Sequence, residues 1–177
     1  MKQDKQLQQI YDEARQFCGS FKTLLMSTCS RDGLPEASYS GYVEEAGSYY
    51  VYVSELAKHT THLLENPKCS ILFIENESDS RQLLARKRLS YRCDATEVSR
   101  ESDVFETVMG KMVDRFGVVM NNLREMGDFH LFKLTPVSGS FVSGFAKAYT
   151  LSGDNLDEVK LRNETGHTKV DHKAKSA

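Results

Sequence analysis

Five histidines, one basic run and one strand-end carboxylate are the side chains of this sequence best suited to bind or activate a ligand. The histidines are His59, His62, His130, His167 and His172. No two of them stand at a metalloprotease or zinc-finger spacing. His59 and His62 are three apart beside the apolar side of a short helix, a pattern that suits a structural role. His167 follows Gly166 in a polar C-terminal stretch, and taken alone it reads as a solvated side chain. Asp128 heads a strand on which His130 and Phe132 share its face. Arg81, Arg86, Lys87, Arg88 and Arg92 fall in a stretch that contains no acid. On a strand, Arg86, Arg88 and Arg92 would project from one side. Such a row suits phosphate or carboxylate, because each planar guanidinium donates two parallel hydrogen bonds. The same row would also serve as protective charge on an exposed or edge strand.

Several chemistries are excluded. No GxSxG elbow and no Walker loop occurs, which argues against a nucleophilic hydrolase and an NTPase. Nor does a GxGxxG run follow a strand, so any electrons must come from another protein. Cys18, Cys29, Cys69 and Cys93 are widely spaced and form no CxxC, which speaks against a zinc site and a disulfide scaffold.

The elements that must position these residues follow from hydrophobic periodicity. Leu7, Ile10, Tyr11, Ala14 and Phe17 make one stripe of a helix. The period then changes to that of strands: Phe21 to Thr28, a turn at Asp32-Gly33, Pro35 to Val43, a turn at Gly47, and Tyr49 to Ser54. Ser54 can cap a short helix carrying Leu56, Thr60, Leu63 and Leu64, which Asn66-Pro67 ends. Strands are predicted at Ser70 to Ile74 and Arg88 to Val98. A long amphipathic helix is predicted from Glu101 to Met126, then strands at Asp128 to Leu134 and Ser140 to Tyr149. Many short antiparallel strands with a few helices point to an α+β domain around a barrel or strongly coiled sheet. The 177 residues suit one domain, expected over 1–161, with a mobile tail over 162–177.

Composition sets the setting. A formal net charge of -2 offers no field to draw nucleic acid or an anionic membrane. The N-terminus lacks the apolar run of a secretory signal, and no segment approaches the roughly 20 apolar residues of a membrane span. A cytoplasmic protein with reduced thiols is expected.

The chain resembles the haem-utilisation (HugZ/HutZ-type) proteins along nearly its whole length. The residues that carry the resemblance begin with Thr23-Leu24-Leu25-Met26-Ser27-Thr28 and Asp32-Gly33-Leu34-Pro35. Lys58-His59, Leu63 and Asn66-Pro67 follow, then Gln82 to Leu89 and Asp128-Phe129-His130-Leu131-Phe132. Gly144 to Tyr149 and the tail pair Gly166-His167 complete the set. The opening strand–turn–strand is shared with the wider flavin-oxidase superfamily. The Ala85-Arg86-Lys87-Arg88-Leu89 run, the Gly144-Phe145 segment and the tail Gly-His are more specific.

This resemblance implies an antiparallel, six- to seven-stranded split β-barrel (FMN-binding-like) with flanking helices. It implies a homodimer that holds haem between protomers in place of flavin, and a haem-degrading oxygenase fed with electrons by a reductase. His167 then becomes the axial iron ligand, and Asp128 accepts the other ring N–H of that histidine, across the dimer interface. Arg88 becomes the arginine on the opposite haem face, with Arg86 beside it and His59 near the pocket. His130 departs from the pattern, where an apolar residue is expected; it and His172 are rival ligands. Two other readings fit the same residues: a haem storage or transfer protein, and an FMN-dependent oxidoreductase whose Arg86/Arg88 row takes the flavin phosphate.

Overall fold

Six strands close on themselves in the computed structural model, which describes residues 2–162. The elements run α1 (Lys2–Gly19), β1 (Thr23–Cys29), β2 (Pro35–Glu45), β3 (Ser48–Ser54), α2 (Lys58–Glu65) and β4 (Lys68–Ile74). Then come β5 (Arg88–Val98), α3 (Asp103–Phe116), α4 (Val119–Arg124), β6 (Phe129–Gly144), β7 (Lys147–Ser152) and β8 (Glu158–Leu161). Strands neighbour one another in the order β3-β2-β1-β4-β5-β6-β7-β8, and an antiparallel β3–β6 ladder joins the two sides into a barrel. β7 and β8 extend the sheet beyond the closure. His167 and His172 lie outside the described residues.

The side-chain pattern of each strand reports which faces it buries. β1 alternates, with Leu24 and Met26 buried and Leu25 and Ser27 exposed. β3 does not: Tyr49, Val51 and Val53 fill the barrel, while Tyr50 and Tyr52 pack outside it beneath α3. Burial on both faces is why Tyr49 to Val53 reads as a continuous apolar run. Two cores result. Phe73, Leu89, Phe132 and Phe141 belong to the interior, with α1 adding Ala14 and Cys18. Phe105, Val108, Met109 and Met112 of α3 cover the outer face of β3 and β6. Ser102 caps α3 by accepting from Phe105 N at 3.2 Å, a contact worth about 1 kcal/mol.

Several elements differ from the sequence expectation. β8 is additional, and α2 begins at Lys58 with Ala57 as its N-cap, so Ser54 does not cap it and Leu56 lies before it. The long helix is broken: α3 ends at Gly117, whose φ of +88° is readily adopted by glycine, and α4 is a separate short helix. The two strands expected at Asp128–Leu134 and Ser140–Tyr149 divide elsewhere. β6 runs unbroken from Phe129 to Gly144, and the reversal falls at Gly144 to Lys147. Pro136 and Gly139 suggest a break but have other causes. Pro136 sits where the β5–β6 register shifts, between Arg92 and Cys93, so its missing N–H is tolerated. Gly139 makes room for Tyr91, whose ring would lie 2.9 Å from a Cβ placed there.

Candidate functional site

Asp128 is held at a corner by groups from three elements. Its carbonyl accepts from Glu55 N at 2.9 Å, and its Oδ2 accepts from Ser54 Oγ at 2.8 Å. Ser54 in turn accepts from Leu56 N at 3.1 Å through Oγ and from Thr60 Oγ1 at 2.5 Å through its carbonyl. The end of β3, the start of α2 and the start of β6 therefore meet in one hydrogen-bonded unit. Arg100 secures the incoming loop. Its guanidinium donates to Arg124 O at 2.8 Å, Met126 O at 2.6 Å, Phe129 O at 2.7 Å and Tyr52 Oη at 3.1 Å. A planar, permanently charged fork suits three carbonyls converging at a chain reversal. No other hydrogen bond of the Asp128 carboxylate is made among the described residues, so its second oxygen can accept from an incoming N–H.

His59 belongs to the same end of the barrel, one residue before Thr60. It is buried, and that burial lowers its pKa below the usual histidine value, so the ring is neutral at pH 7. Its helix neighbour His62 places Nδ1 3.1 Å from Thr28 Oγ1, tying α2 to β1.

His130, named above as a rival ligand, is hydrogen-bonded on both sides: Nδ1 lies 2.6 Å from Glu97 Oε1 and Nε2 2.9 Å from Glu55 Oε1. Among the described residues no group of three or more His, Cys, Asp or Glu side chains is placed to hold a metal ion.

The arginine row is also rearranged. Arg88 is the first residue of β5, and Arg92 shares its face, with Nε 2.8 Å from Ser138 Oγ. Arg86 precedes the strand, and its guanidinium turns back onto the chain. Nε donates to Glu75 O at 2.9 Å, Nη1 to Glu77 Oε1 at 3.4 Å, and Nη2 again to Glu75 O. The three arginines therefore do not form a row, because the strand begins two residues after Arg86. Arg88 donates one N–H to Arg86 O at 3.1 Å. Its remaining N–H groups make no hydrogen bond among the described residues.

Arg88 and Asp128 are not brought together within one chain. Arg88 pairs with Val142 at one end of the β5–β6 ladder, and Val98 pairs with Leu131 at the other, next to Asp128. Ten residues of strand separate the two ends, roughly 30 Å. A face of the barrel meanwhile carries apolar side chains outward. Leu25 and Tyr39 stand directly opposite each other across β1–β2, 45% and 68% exposed. Sequence reasoning missed Ser54, Glu55, Glu97 and Arg100, all ordinary polar residues at element ends without a motif around them.

Two polar groups with unspent hydrogen-bonding capacity thus stand at opposite ends of the β5–β6 ladder. Asp128 offers an oriented acceptor for a ring N–H, and Arg88 offers an unspent guanidinium for a carboxylate. Residues 10–143 match the family model described as pyridoxamine 5'-phosphate oxidase. The chain is 39% identical over 171 residues to Heme oxygenase HutZ of Vibrio cholerae, covering 96% of each chain. Its fold is similar to the crystal structure of HutZ, there called the heme storage protein from Vibrio cholerae. The TM-score is 0.67 at 38% identity, over 71% of this chain and 88% of that one. It is similar also to Campylobacter jejuni ChuZ, with a TM-score of 0.77 at 31% identity, over 86% of this chain and 61% of that one. With that match and a closed six-stranded antiparallel barrel, the chain belongs to the HutZ-type proteins of the pyridoxamine 5'-phosphate oxidase split-barrel family.

Proposed function

We propose that this protein is a haem oxygenase that opens the porphyrin ring of bound haem and releases its iron. The observation that carries the reading is the Asp128 carboxylate, fixed through one oxygen by Ser54 and open at the other, in a chain alignable with HutZ from end to end. Haem supplies the iron at which dioxygen is activated, with electrons delivered by an external reductase.

The chain's own residues prepare that reaction. His167, which follows Arg162 in the sequence, would hold the haem iron. Asp128 accepts the other ring N–H of that histidine, which sets the tautomer and makes the ring more electron-donating. Arg88 would supply permanent positive charge to a haem propionate or to negative charge that develops during the reaction. His59, neutral and buried, borders the pocket.

Because Arg88 and Asp128 of one chain stand at opposite ends of the β5–β6 ladder, a single site that uses both draws them from two copies. A homodimer is the proposed source of that arrangement, with the outward apolar Leu25 and Tyr39 as its proposed contact face. No helix among the described residues is long and apolar enough to cross a membrane, and a cytoplasmic setting is proposed with the reduced thiols.

Haem storage is the second reading, favoured by the words used for the HutZ crystal structure. An FMN enzyme fits less well, since Arg86 is committed to Glu75 and Glu77 and leaves Arg88 without its partner. The test mixes purified protein with haemin and a reductant in air. Loss of the haem Soret band with appearance of an open tetrapyrrole and chelatable iron supports the oxygenase. A stable haem spectrum under the same conditions favours storage, and a yellow protein that ignores haemin favours flavin.

A further inference from the structure

His130 bridges three strands through two carboxylates. It lies on β6 paired with Val53 of β3; Glu97 comes from β5, on the other side of β6, and Glu55 follows β3 directly. An ionised carboxylate only accepts hydrogen bonds, so both ring nitrogens must donate, and an imidazole with two N–H groups is a cation. A neutral ring serves one carboxylate and turns a lone pair toward the other. The imidazole is 18% exposed, while the carboxylates of Glu55 and Glu97 are 59% and 49% exposed and remain open to water.

Glu55 also belongs to the Asp128 corner. Its backbone N–H donates to Asp128 O, and the preceding Ser54 holds Asp128 Oδ2. His130 thus grips by side chain the residue that grips Asp128 by backbone.

We propose that Glu55, His130 and Glu97 form a proton-dependent latch that positions Asp128. When His130 is protonated, Glu55 is pinned to β5 and β6; when the proton leaves, the Ser54–Glu55 corner loosens and Asp128 loses its fixed direction. The inference rests on the role of Asp128 proposed above.

The charged surroundings support the proton dependence. The groups on the ring are Glu97 from β5 and Glu55 from the β3–α2 corner. Arg100 and Glu101 line the same cleft, but Arg100 is spent on three carbonyls and a tyrosine, and Glu101 on Ser99. Asp128, in the turn just before β6, is held by Ser54. Hydrogen bonds to Glu97 and then Glu55 raise the His130 pKa above its ordinary 6.5, against the smaller opposing effect of burial. A pKa raised on folding means the latch stabilises fully below pH 6.5 and is lost as pH climbs through the folded value.

Haem-free protein provides the primary test. Ring NMR should show His130 titrating above 6.5, and Glu97→Gln should lower its midpoint. At one fixed pH near neutrality, the Glu55 amide should exchange roughly tenfold faster in Glu97→Gln than in the wild type, with Glu55→Gln lowering the midpoint independently. With haem, Glu97→Gln should shift the alkaline limb of the kcat profile to lower pH and leave KM unchanged. A His130 midpoint at or below 6.5, or one indifferent to both variants, overturns the latch. Faster Glu55 exchange with an unmoved pH profile overturns its positioning role. Failure of the Asp128 reading shows separately: Asp128→Asn would degrade haem normally while the His130 titration and its response to Glu97→Gln persist.

Discussion

Arg88 and Asp128 lie at opposite ends of the β5–β6 ladder, roughly 30 Å apart in one chain. If both act on one haem, they act from different copies, and the two inactive variants should complement each other. Mixing Arg88→Ala with Asp128→Asn under conditions that exchange subunits should restore roughly a quarter of wild-type degradation, because half the dimers then carry one intact site of two. No recovery, with exchange verified by mass, would place the site within a single chain. A monomer of 20.0 kDa by light scattering, fully loaded with haem, would count equally against the dimer.

Asp128→Asn should keep haem and lose degradation by roughly 10- to 100-fold. Asparagine keeps the hydrogen bond with Ser54 but replaces the anionic acceptor proposed for the ring N–H of His167. Steady-state rates with the haem spectrum recorded alongside separate loss of turnover from loss of binding.

His167→Ala should abolish the histidine-ligated spectrum and ring opening while the fold survives. Folding should persist because both described cores are built from residues before 163. Truncation after Gly166 removes His167 and His172 and leaves His130. A truncated protein that still shows histidine-ligated haem would point to His130, which is unexpected given its two carboxylate partners. Loss in the truncation but not in His167→Ala would point to His172.

Arg100→Ala should destabilise the apoprotein by about 2 kcal/mol, because the partly buried carbonyls of Arg124 and Phe129, the exposed carbonyl of Met126 and Tyr52 lose a charged donor together. Chemical denaturation measures the change. Arg100→Lys should recover little, since one ammonium cannot reproduce the fork. Stability equal to the wild type in the alanine variant would show that water replaces the guanidinium.

Native alkylation should spare Cys93 and Cys18. Burial raises both thiols above the ordinary range, and in Cys93 the hydrogen bond with Cys69, its register partner across β4–β5, is the first cause. Little thiolate is then present at pH 8. Mass spectrometry after brief iodoacetamide treatment should find Cys29 labelled first, as it is less buried than Cys18, Cys69 and Cys93. Rapid labelling of Cys93 would mean that the β4–β5 ladder opens readily.

Local pattern carried much of this fold. The meander from β1 to β3, the short α2 and the strand from Arg88 to Val98 follow from period and turn residues, because alternation and Asp-Gly or Asn-Pro signals act over a few residues. The split-barrel class was legible through the resemblance, whose motifs lie along these same elements. Where local signals had two physical meanings, they misled. Gly117 ends a helix inside an unbroken apolar stripe, and Gly139 makes room for a tyrosine in place of a turn.

The sequence alone determined which side chains are available and roughly which element carries each. Closure of the barrel decided their company. Ser54 meets Asp128 across 74 positions, His130 meets Glu55 across 75 and Glu97 across 33, and Arg100 gathers carbonyls 24 to 29 positions away. Such pairings depend on the β3–β6 ladder that closes the sheet and on the register of β5 against β6. A one-residue slip of β5 against β6 would turn Glu97 away from His130 and break that pairing.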